Sequence, residues 1–170
     1  MQEVADAVTM KGNPVTLLGN PVKVGQKAPD CTLVANDLSP VTISSFKGKK
    51  IVLSVVPSLD TPVCDTQTRK FNEKLTSLGG DVTALTISMD LPFAQKRWCG
   101  AAGLPNIKAL SDHREAAFGE AYGVLVKGIR LLARAVFVIN PAGEITYKEL
   151  VSEITKEPNY DAAVEAVKKI

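Results

Sequence analysis

The chain has 170 residues, 45% of them hydrophobic and 22% charged, so it can bury a core without disulfide staples and is expected to form one domain over residues 1–170. Twenty basic and eighteen acidic side chains leave a net charge of +2 with no basic block, which excludes nucleic acid as an expected partner. No apolar run is long enough for a membrane span and no signal-peptide pattern opens the chain, so a soluble cytoplasmic protein without membrane contact is expected.

The N-terminal segment predicts a β-hairpin, with strands at residues 8–10 and 15–18 around the turn Lys11-Gly12-Asn13-Pro14. Residues 31–34, which start with Cys31, are also strand-like. Residues 51–56 are β-branched and apolar on both faces, which is typical of a buried central strand, and Pro57 ends it.

A helix is predicted directly after this strand. Thr61 is a favoured N-cap residue, Pro62 suits the first helical position, and the glycines at 79 and 80 supply a stop. The later elements are predicted as follows: a strand at 82–89, a helix at 92–99 ended by Gly100, a helix at 112–122 with an Asp112–Glu115 capping box and Gly123 as its end, strands at 135–139 and 144–150, and a helix from Tyr160. This alternation predicts an α/β fold of the thioredoxin type, a central mixed sheet flanked by helices with an added N-terminal hairpin.

Two of the three cysteines have opposite helical environments. Cys64 lies in the first turn of its helix, where free N–H groups and the positive dipole end favour a thiolate. It also begins a stripe with steps of four and three residues that faces the core, formed by Cys64, Thr68, Phe71, Leu75 and Leu78. Cys99 lies in the last turn of a short helix, where the negative dipole end disfavours a thiolate. Cys64 is therefore expected to be the first nucleophile in the reaction, and Cys99 is expected to react second.

The remaining candidates have less distinctive surroundings. Cys31 is expected to be an inert small hydrophobe, and His113 a surface residue. Arg134 suits either a structural ion pair or an active site. The three cysteines lack the close spacing of metal ligands, so neither a metal nor another cofactor is expected.

The run from Pro57 to Cys64 contains Pro-x-x-x-Thr-x-x-Cys at the end of a strand and the start of a helix, and it resembles the peroxiredoxin signature. Further segments narrow the resemblance to bacterial thiol peroxidases, the atypical two-cysteine peroxiredoxins, over nearly the whole chain. These segments are Thr68-Arg69-Lys70-Phe71-Asn72, Asp90-Leu91-Pro92-Phe93-Ala94-Gln95, Trp98-Cys99-Gly100, Ala121-Tyr122-Gly123-Val124 and Ala133-Arg134-Ala135-Val136.

The resemblance implies a role for each matching position. Cys64 would be the peroxidatic cysteine and Cys99 the resolving cysteine of the same chain, while Pro57, Thr61 and Arg134 would complete the pocket. It also implies a thioredoxin-like fold, a homodimer, thioredoxin as the reductant, and organic hydroperoxides and hydrogen peroxide as substrates. Cys31 matches no motif position, and its role stays open.

The implied chemistry leads to three expectations about the structure. Arg134 and Pro57 should meet at one sheet edge if their strands are antiparallel neighbours. Thr61 should cap its helix while orienting the peroxide. The reduced protein should hold Cys64 and Cys99 too far apart to bond, so that disulfide formation requires local unfolding.

Two other functions are compatible with parts of the sequence. A thiol–disulfide oxidoreductase of the same fold is disfavoured, because its Cys-x-x-Cys motif has Thr61 in place of the first cysteine. A non-enzymatic redox switch or sensor stays open, since only sustained peroxide turnover distinguishes it from an enzyme.

Overall fold

The computed structural model describes residues 1–104 and 107–170. Its strands are β1 (Glu3–Met10), β2 (Asn13–Leu18), β3 (Thr32–Val34), β4 (Pro40–Thr42), β5 (Lys50–Val55), β6 (Val82–Ser88), β7 (Ile107–Ser111), β8 (Leu125–Val126), β9 (Ala135–Ile139) and β10 (Ile145–Leu150). Its helices are α1 (Pro62–Thr76), α2 (Pro92–Ala102), α3 (Ala117–Tyr122) and α4 (Tyr160–Lys168), with a 3-10 turn at Ile43–Phe46. No helix in the described ranges is long and apolar enough to cross a membrane.

A seven-stranded mixed sheet forms the centre of the fold, in the order β10-β9-β5-β6-β7-β3-β4. β5, β6 and β7 run parallel, whereas β9 pairs with β5 in the antiparallel sense. In that pairing Val55 lies opposite Ala135, so the end of β5 meets the beginning of β9. The expectation that Pro57 and Arg134 come to the same sheet edge rested on this antiparallel pairing, and the pairing is confirmed.

Both faces of the central sheet are covered, which explains why β5 carries apolar residues on both of its faces. Val52 packs on one face with Phe71 of α1 and Val167 of α4. Leu53, the next residue, packs on the opposite face with Phe118 of α3. Successive strand residues point to opposite faces, so a strand between two layers needs apolar residues at consecutive positions.

The predicted N-terminal hairpin is present, with longer strands than expected, and β8 adds a third strand to it. The hairpin is tied to the segment that follows β10. Thr9 donates its amide to the Ser152 carbonyl at 2.8 Å, and its own carbonyl accepts from the Ile154 amide at 2.8 Å. Glu153 accepts a hydrogen bond from the Gly12 amide at the hairpin turn, at 2.8 Å. The hairpin therefore fixes the backbone at Ile154.

Two predicted helix boundaries are wrong. The capping box at Asp112 and Glu115 does not form, because α3 starts only at Ala117, after Ala116 with its left-handed φ of 54°. The buried Asp112 carboxylate instead accepts from the amides of Phe118 and Gly119, at 3.0 and 2.8 Å. Helix α2 also continues past Gly100 to Ala102 and is capped by Gly103, whose φ is 61°. Cys99 nevertheless stays in the last turn of α2.

Candidate active site

The Cys64 thiol lies in the first turn of α1 and has no exposed surface. It forms a small buried cluster with Val56, Leu59 and Ala109, and the half-buried Trp98 and Cys99 of α2 pack against this cluster. The stripe predicted for α1 is confirmed from Cys64 to Leu75, whereas Leu78 lies beyond the end of the helix and is half-buried. The fold thus brings both candidate cysteines into one region.

Arg134 reaches the Cys64 sulfur from the beginning of β9. Its Nη2 lies 3.3 Å from the Cys64 Sγ, its Nη1 donates to the Gln67 Oε1 at 2.8 Å, and its Nε donates to the Ile154 carbonyl at 2.8 Å. None of these partners is a carboxylate, and only 2% of the residue is exposed. The guanidinium is therefore held on three sides, with its positive charge directed at the Cys64 sulfur.

Gln67 and Ser54 complete the polar part of the site, and neither was predicted from the sequence. Gln67 is fully buried, and its Nε2 donates to the Ser54 hydroxyl on β5 at 2.8 Å. This bond fixes the amide so that its oxygen accepts from Arg134. A signal existed, because Gln67 stands three residues after Cys64, which places a polar side chain on the core-facing side of α1.

Thr61 stands at the N-cap position of α1, but its side chain makes no capping hydrogen bond, so that part of its predicted role is wrong. Its hydroxyl donates instead to the Ser58 carbonyl at 3.0 Å. The donor is turned into the loop before the helix, which leaves the oxygen lone pairs as acceptors.

The loop before α1 is fixed from the end of β6. Asp90 accepts from the Ser58 hydroxyl at 2.7 Å and from the Leu59 amide at 2.8 Å. Pro57, at the start of this loop, is buried and carries no N–H that could compete for the sulfur. The structure therefore places Pro57, Thr61, Cys64 and Arg134 where β5, α1 and β9 meet, with Cys99 on the adjacent α2.

All three cysteines are free thiols in this structure. Burial raises the pKa of the Cys99 thiol, so this residue is a weak nucleophile while α2 is folded. Burial, followed by the nearby Asp112 and Asp30 carboxylates, raises the pKa of Cys31 to about 12. Cys31 packs against the main core, away from the Cys64 cluster, as expected for a small hydrophobe.

His113 differs from its expected surface position. It is half-buried, and its Nδ1 lies 3.0 Å from the Ser111 hydroxyl. Ser111 in turn donates to the Asp90 carbonyl. His113 therefore belongs to the polar network at the ends of β6 and β7 and is not part of the Cys64 cluster.

Comparison with known proteins gives a consistent result over the whole chain. Residues 23–164 match the Redoxin family model. The chain is 63% identical to a thiol peroxidase of Halalkalibacterium halodurans over 162 residues, covering 95% of this chain and 97% of the relative. It is 54% identical to the Bacillus subtilis thiol peroxidase over 163 residues, covering 96% and 97%.

Two solved structures share the fold. The peroxiredoxin-like protein from Aquifex aeolicus is 47% identical and superposes with a TM-score of 0.89 over 97% of each chain. The thiol peroxidase from Chromobacterium violaceum superposes with a TM-score of 0.87 over 95% of each chain, and at 22% identity it supports the fold alone.

Proposed function

Since this chain belongs to the Redoxin family and, within it, to the thiol peroxidases, we propose that Cys64 is the thiol that attacks the peroxide. Membership establishes a peroxiredoxin-type peroxidase with a thioredoxin-like fold, which takes a peroxide substrate and a thiol reductant.

The proposal rests above all on the 3.3 Å contact between the Arg134 Nη2 and the Sγ of the fully buried Cys64. A buried thiolate is costly unless a cation and hydrogen-bond donors compensate its charge. Arg134 supplies both, and the first turn of α1 adds its free N–H groups. Burial raises the pKa of the other two cysteines, Cys31 and Cys99.

In the first step the Cys64 thiolate attacks one oxygen of the hydroperoxide. A sulfur–oxygen bond forms, the O–O bond breaks, and the leaving alkoxide or hydroxide takes a proton to become an alcohol or water. Arg134 stabilises the charge that moves from sulfur to oxygen. Thr61, whose own proton is bound to the Ser58 carbonyl, accepts the hydrogen bond of the peroxide O–H and so aligns it with the sulfur. Pro57 shields the site from water.

In the second step the Cys99 sulfur attacks the Cys64 sulfenic acid. A disulfide forms, the sulfur–oxygen bond breaks, and water leaves. Cys64 is fully buried in α1, Cys99 is half-buried in α2, and both are free thiols, so we propose that the helices unfold locally to bring the two sulfurs to bonding distance. Unfolding also exposes Cys99, which removes the cause of its raised pKa and makes it a better nucleophile.

A dithiol protein then reduces the disulfide by two exchange reactions and is itself oxidised. Thioredoxin as this protein, organic hydroperoxides with hydrogen peroxide as substrates, and a homodimeric assembly are carried over from the family resemblance. The high identity to curated thiol peroxidases supports them.

Steady-state turnover of hydrogen peroxide and cumene hydroperoxide, with thioredoxin, its reductase and NADPH, tests the proposed function. Cys64→Ser should abolish turnover while the fold is retained, because serine has the size of cysteine but lacks the thiolate. Mass spectrometry without reductant, after one equivalent of peroxide, should show an intrachain Cys64–Cys99 disulfide.

Substantial turnover in Cys64→Ser, or an interchain link, contradicts the assignment. Oxidation of the wild type that stops after one equivalent, with no turnover, indicates a redox switch instead.

A further inference from the structure

We propose that Asp65 is a positioning residue that holds α2 against α1 through Trp98, and so controls how quickly Cys99 reaches the oxidised Cys64. This inference rests on the proposed Cys64–Cys99 disulfide and adds a residue that governs the step in which it forms.

The contact joins the two helices next to their cysteines. The Trp98 indole Nε1 donates to the Asp65 Oδ1 at 3.0 Å. The other carboxylate oxygen, Oδ2, accepts from the Arg69 Nε at 2.9 Å, one turn along α1. The Arg69 guanidinium also lies 5.6 Å from the centre of the Trp98 ring. We call these three side chains, Asp65, Arg69 and Trp98, the Asp65 bridge.

Two of the bridge residues are next to the cysteines in the sequence, so the bridge can affect the rate of disulfide formation. Asp65 follows Cys64 directly, and Trp98 directly precedes Cys99. Neighbouring residues on a helix point about 100° apart, so the face that makes the bridge is not the face that carries the thiol. While the bridge is made, both cysteines stay in their helices as free thiols. In the proposed local unfolding of the two helices, the bridge opens before the two sulfurs bond.

The rest of α2 shows which part the bridge restrains. The fully buried residues of this helix, Pro92 and Gln95, both lie in its first half. Gln95 is anchored there by hydrogen bonds to the Ser88 hydroxyl at 2.9 Å and to the Leu110 carbonyl at 3.0 Å. The second half carries Trp98 and Cys99 against the Cys64 cluster and is capped by Gly103. Opening the bridge thus releases the half of α2 that contains the resolving cysteine.

Slow release has a chemical consequence. The Cys64 sulfenic acid has two fates, because Cys99 converts it to a disulfide while a second peroxide molecule oxidises it to a sulfinic acid. In the first fate the sulfur–oxygen bond breaks and water leaves. In the second a further sulfur–oxygen bond forms as the second peroxide is reduced to alcohol or water. The Asp65 bridge slows the approach of Cys99. It therefore determines the peroxide concentration above which oxidation to the sulfinic acid is faster than disulfide formation.

The test compares Trp98→Phe, Asp65→Asn and the double variant with wild type. Trp98→Phe keeps an aromatic ring and the net charge but removes the indole donor, and Asp65→Asn weakens the acceptor. Each protein is reduced, mixed with hydrogen peroxide, quenched and alkylated at set times, and analysed by mass spectrometry. In wild type and Asp65→Asn the sole tryptophan, Trp98, also reports the opening by its fluorescence.

We expect Trp98→Phe to form the disulfide about tenfold faster than wild type, as for loss of a partly screened hydrogen bond to a charged group, and Asp65→Asn to form it faster by a smaller factor. Asp65→Asn should add nothing in the Trp98→Phe background, because that background has already lost the bond that Asp65→Asn weakens. The sulfinic acid fraction under excess peroxide should fall in both single variants. Asp161→Asn, which breaks an exposed ion pair between α4 and Lys74 of α1, is the matched control and should behave as wild type.

Thermal melts establish which variants are folded, and either single variant suffices for the comparison. Unchanged or slower disulfide formation in the folded single variants overturns the inference. A wild-type protein that forms no Cys64–Cys99 disulfide refutes the proposed function itself, so the two failures are distinguishable.

Discussion

Replacement of Arg134 by alanine tests how much the charge and hydrogen bonds of this residue contribute to peroxide attack. The change removes the donor to the Cys64 sulfur and also leaves the Gln67 oxygen and the Ile154 carbonyl without their partner. A hydrogen bond to a charged group contributes about 1.5–3 kcal/mol. Losing it in the transition state lowers the rate of peroxide attack by about 10- to 100-fold. Each unpaired buried acceptor lowers the free energy of unfolding by a further ~1–3 kcal/mol.

Arg134→Lys separates charge from geometry. The ammonium keeps the positive charge, but it cannot serve a sulfur, an amide oxygen and a carbonyl that lie on three sides of a planar guanidinium. We therefore expect attack rates between those of wild type and Arg134→Ala.

Single-turnover stopped flow with hydrogen peroxide measures the attack step alone, and alkylation of Cys64 by iodoacetamide measures the reactivity of the thiolate without peroxide. The exposed Arg114 provides the matched control, since Arg114→Ala removes the same charge from the surface. An Arg134→Ala protein that is folded and attacks peroxide at the wild-type rate would show that Arg134 is structural only.

Two further predictions concern residues outside the candidate active site. Cys31→Ser should keep near-normal turnover in the coupled assay, because Cys31 packs against the main core, and a loss as large as that of Cys64→Ser would contradict this. Burial raises the pKa of the Asp112 carboxyl to about 6, so the folded state binds its proton more tightly than the unfolded state does. The corresponding stability is present below about pH 4 and lost as the pH rises through 6, a fall of about 3 kcal/mol in the free energy of unfolding. Urea melts across this range should show the fall in wild type and not in Asp112→Asn, and identical pH profiles would refute the assignment.

The sequence predicted the strands and helices that have clear periodicity and clear ends. β9 has the predicted bounds, because five consecutive apolar residues between Arg134 and the turn at Asn140 admit few alternatives. β8 was missed because its two residues, Leu125–Val126, carry no periodicity, and their pairing with β2 is a tertiary contact.

Helix ends were harder to predict because the same residue type can cap in more than one way. Asp112 does cap α3, but it does so from outside the helix and across a left-handed residue at Ala116, a geometry that local spacing does not encode. Thr61 occupies the N-cap position, yet its hydroxyl is bound by the Ser58 carbonyl. In both cases the backbone conformation of the segment before the helix decided which hydrogen bond formed.

At the candidate site, the sequence predicted the nucleophile and its neighbours, but it did not predict the polar residues Gln67 and Ser54. Cys64 follows from helix position and periodicity, and Arg134 from the motif and the strand order. Gln67 and Ser54 gain their meaning only when α1 packs on β5, because each is an isolated polar residue until the other is opposite it. The roles of these residues in catalysis stay predictions for the experiments above.

The three-sided binding of Arg134 also affects the redox equilibrium. In the proposed disulfide state Cys64 turns away, and the buried guanidinium keeps its bond to the Ile154 carbonyl, which the N-terminal hairpin fixes, but loses its sulfur acceptor. A buried donor without a partner destabilises the state that contains it. The oxidised protein is thereby raised in free energy relative to the reduced one, which raises its reduction potential. In the proposed cycle, the arginine that favours attack on the peroxide would thus also make the Cys64–Cys99 disulfide easier for a dithiol protein to reduce.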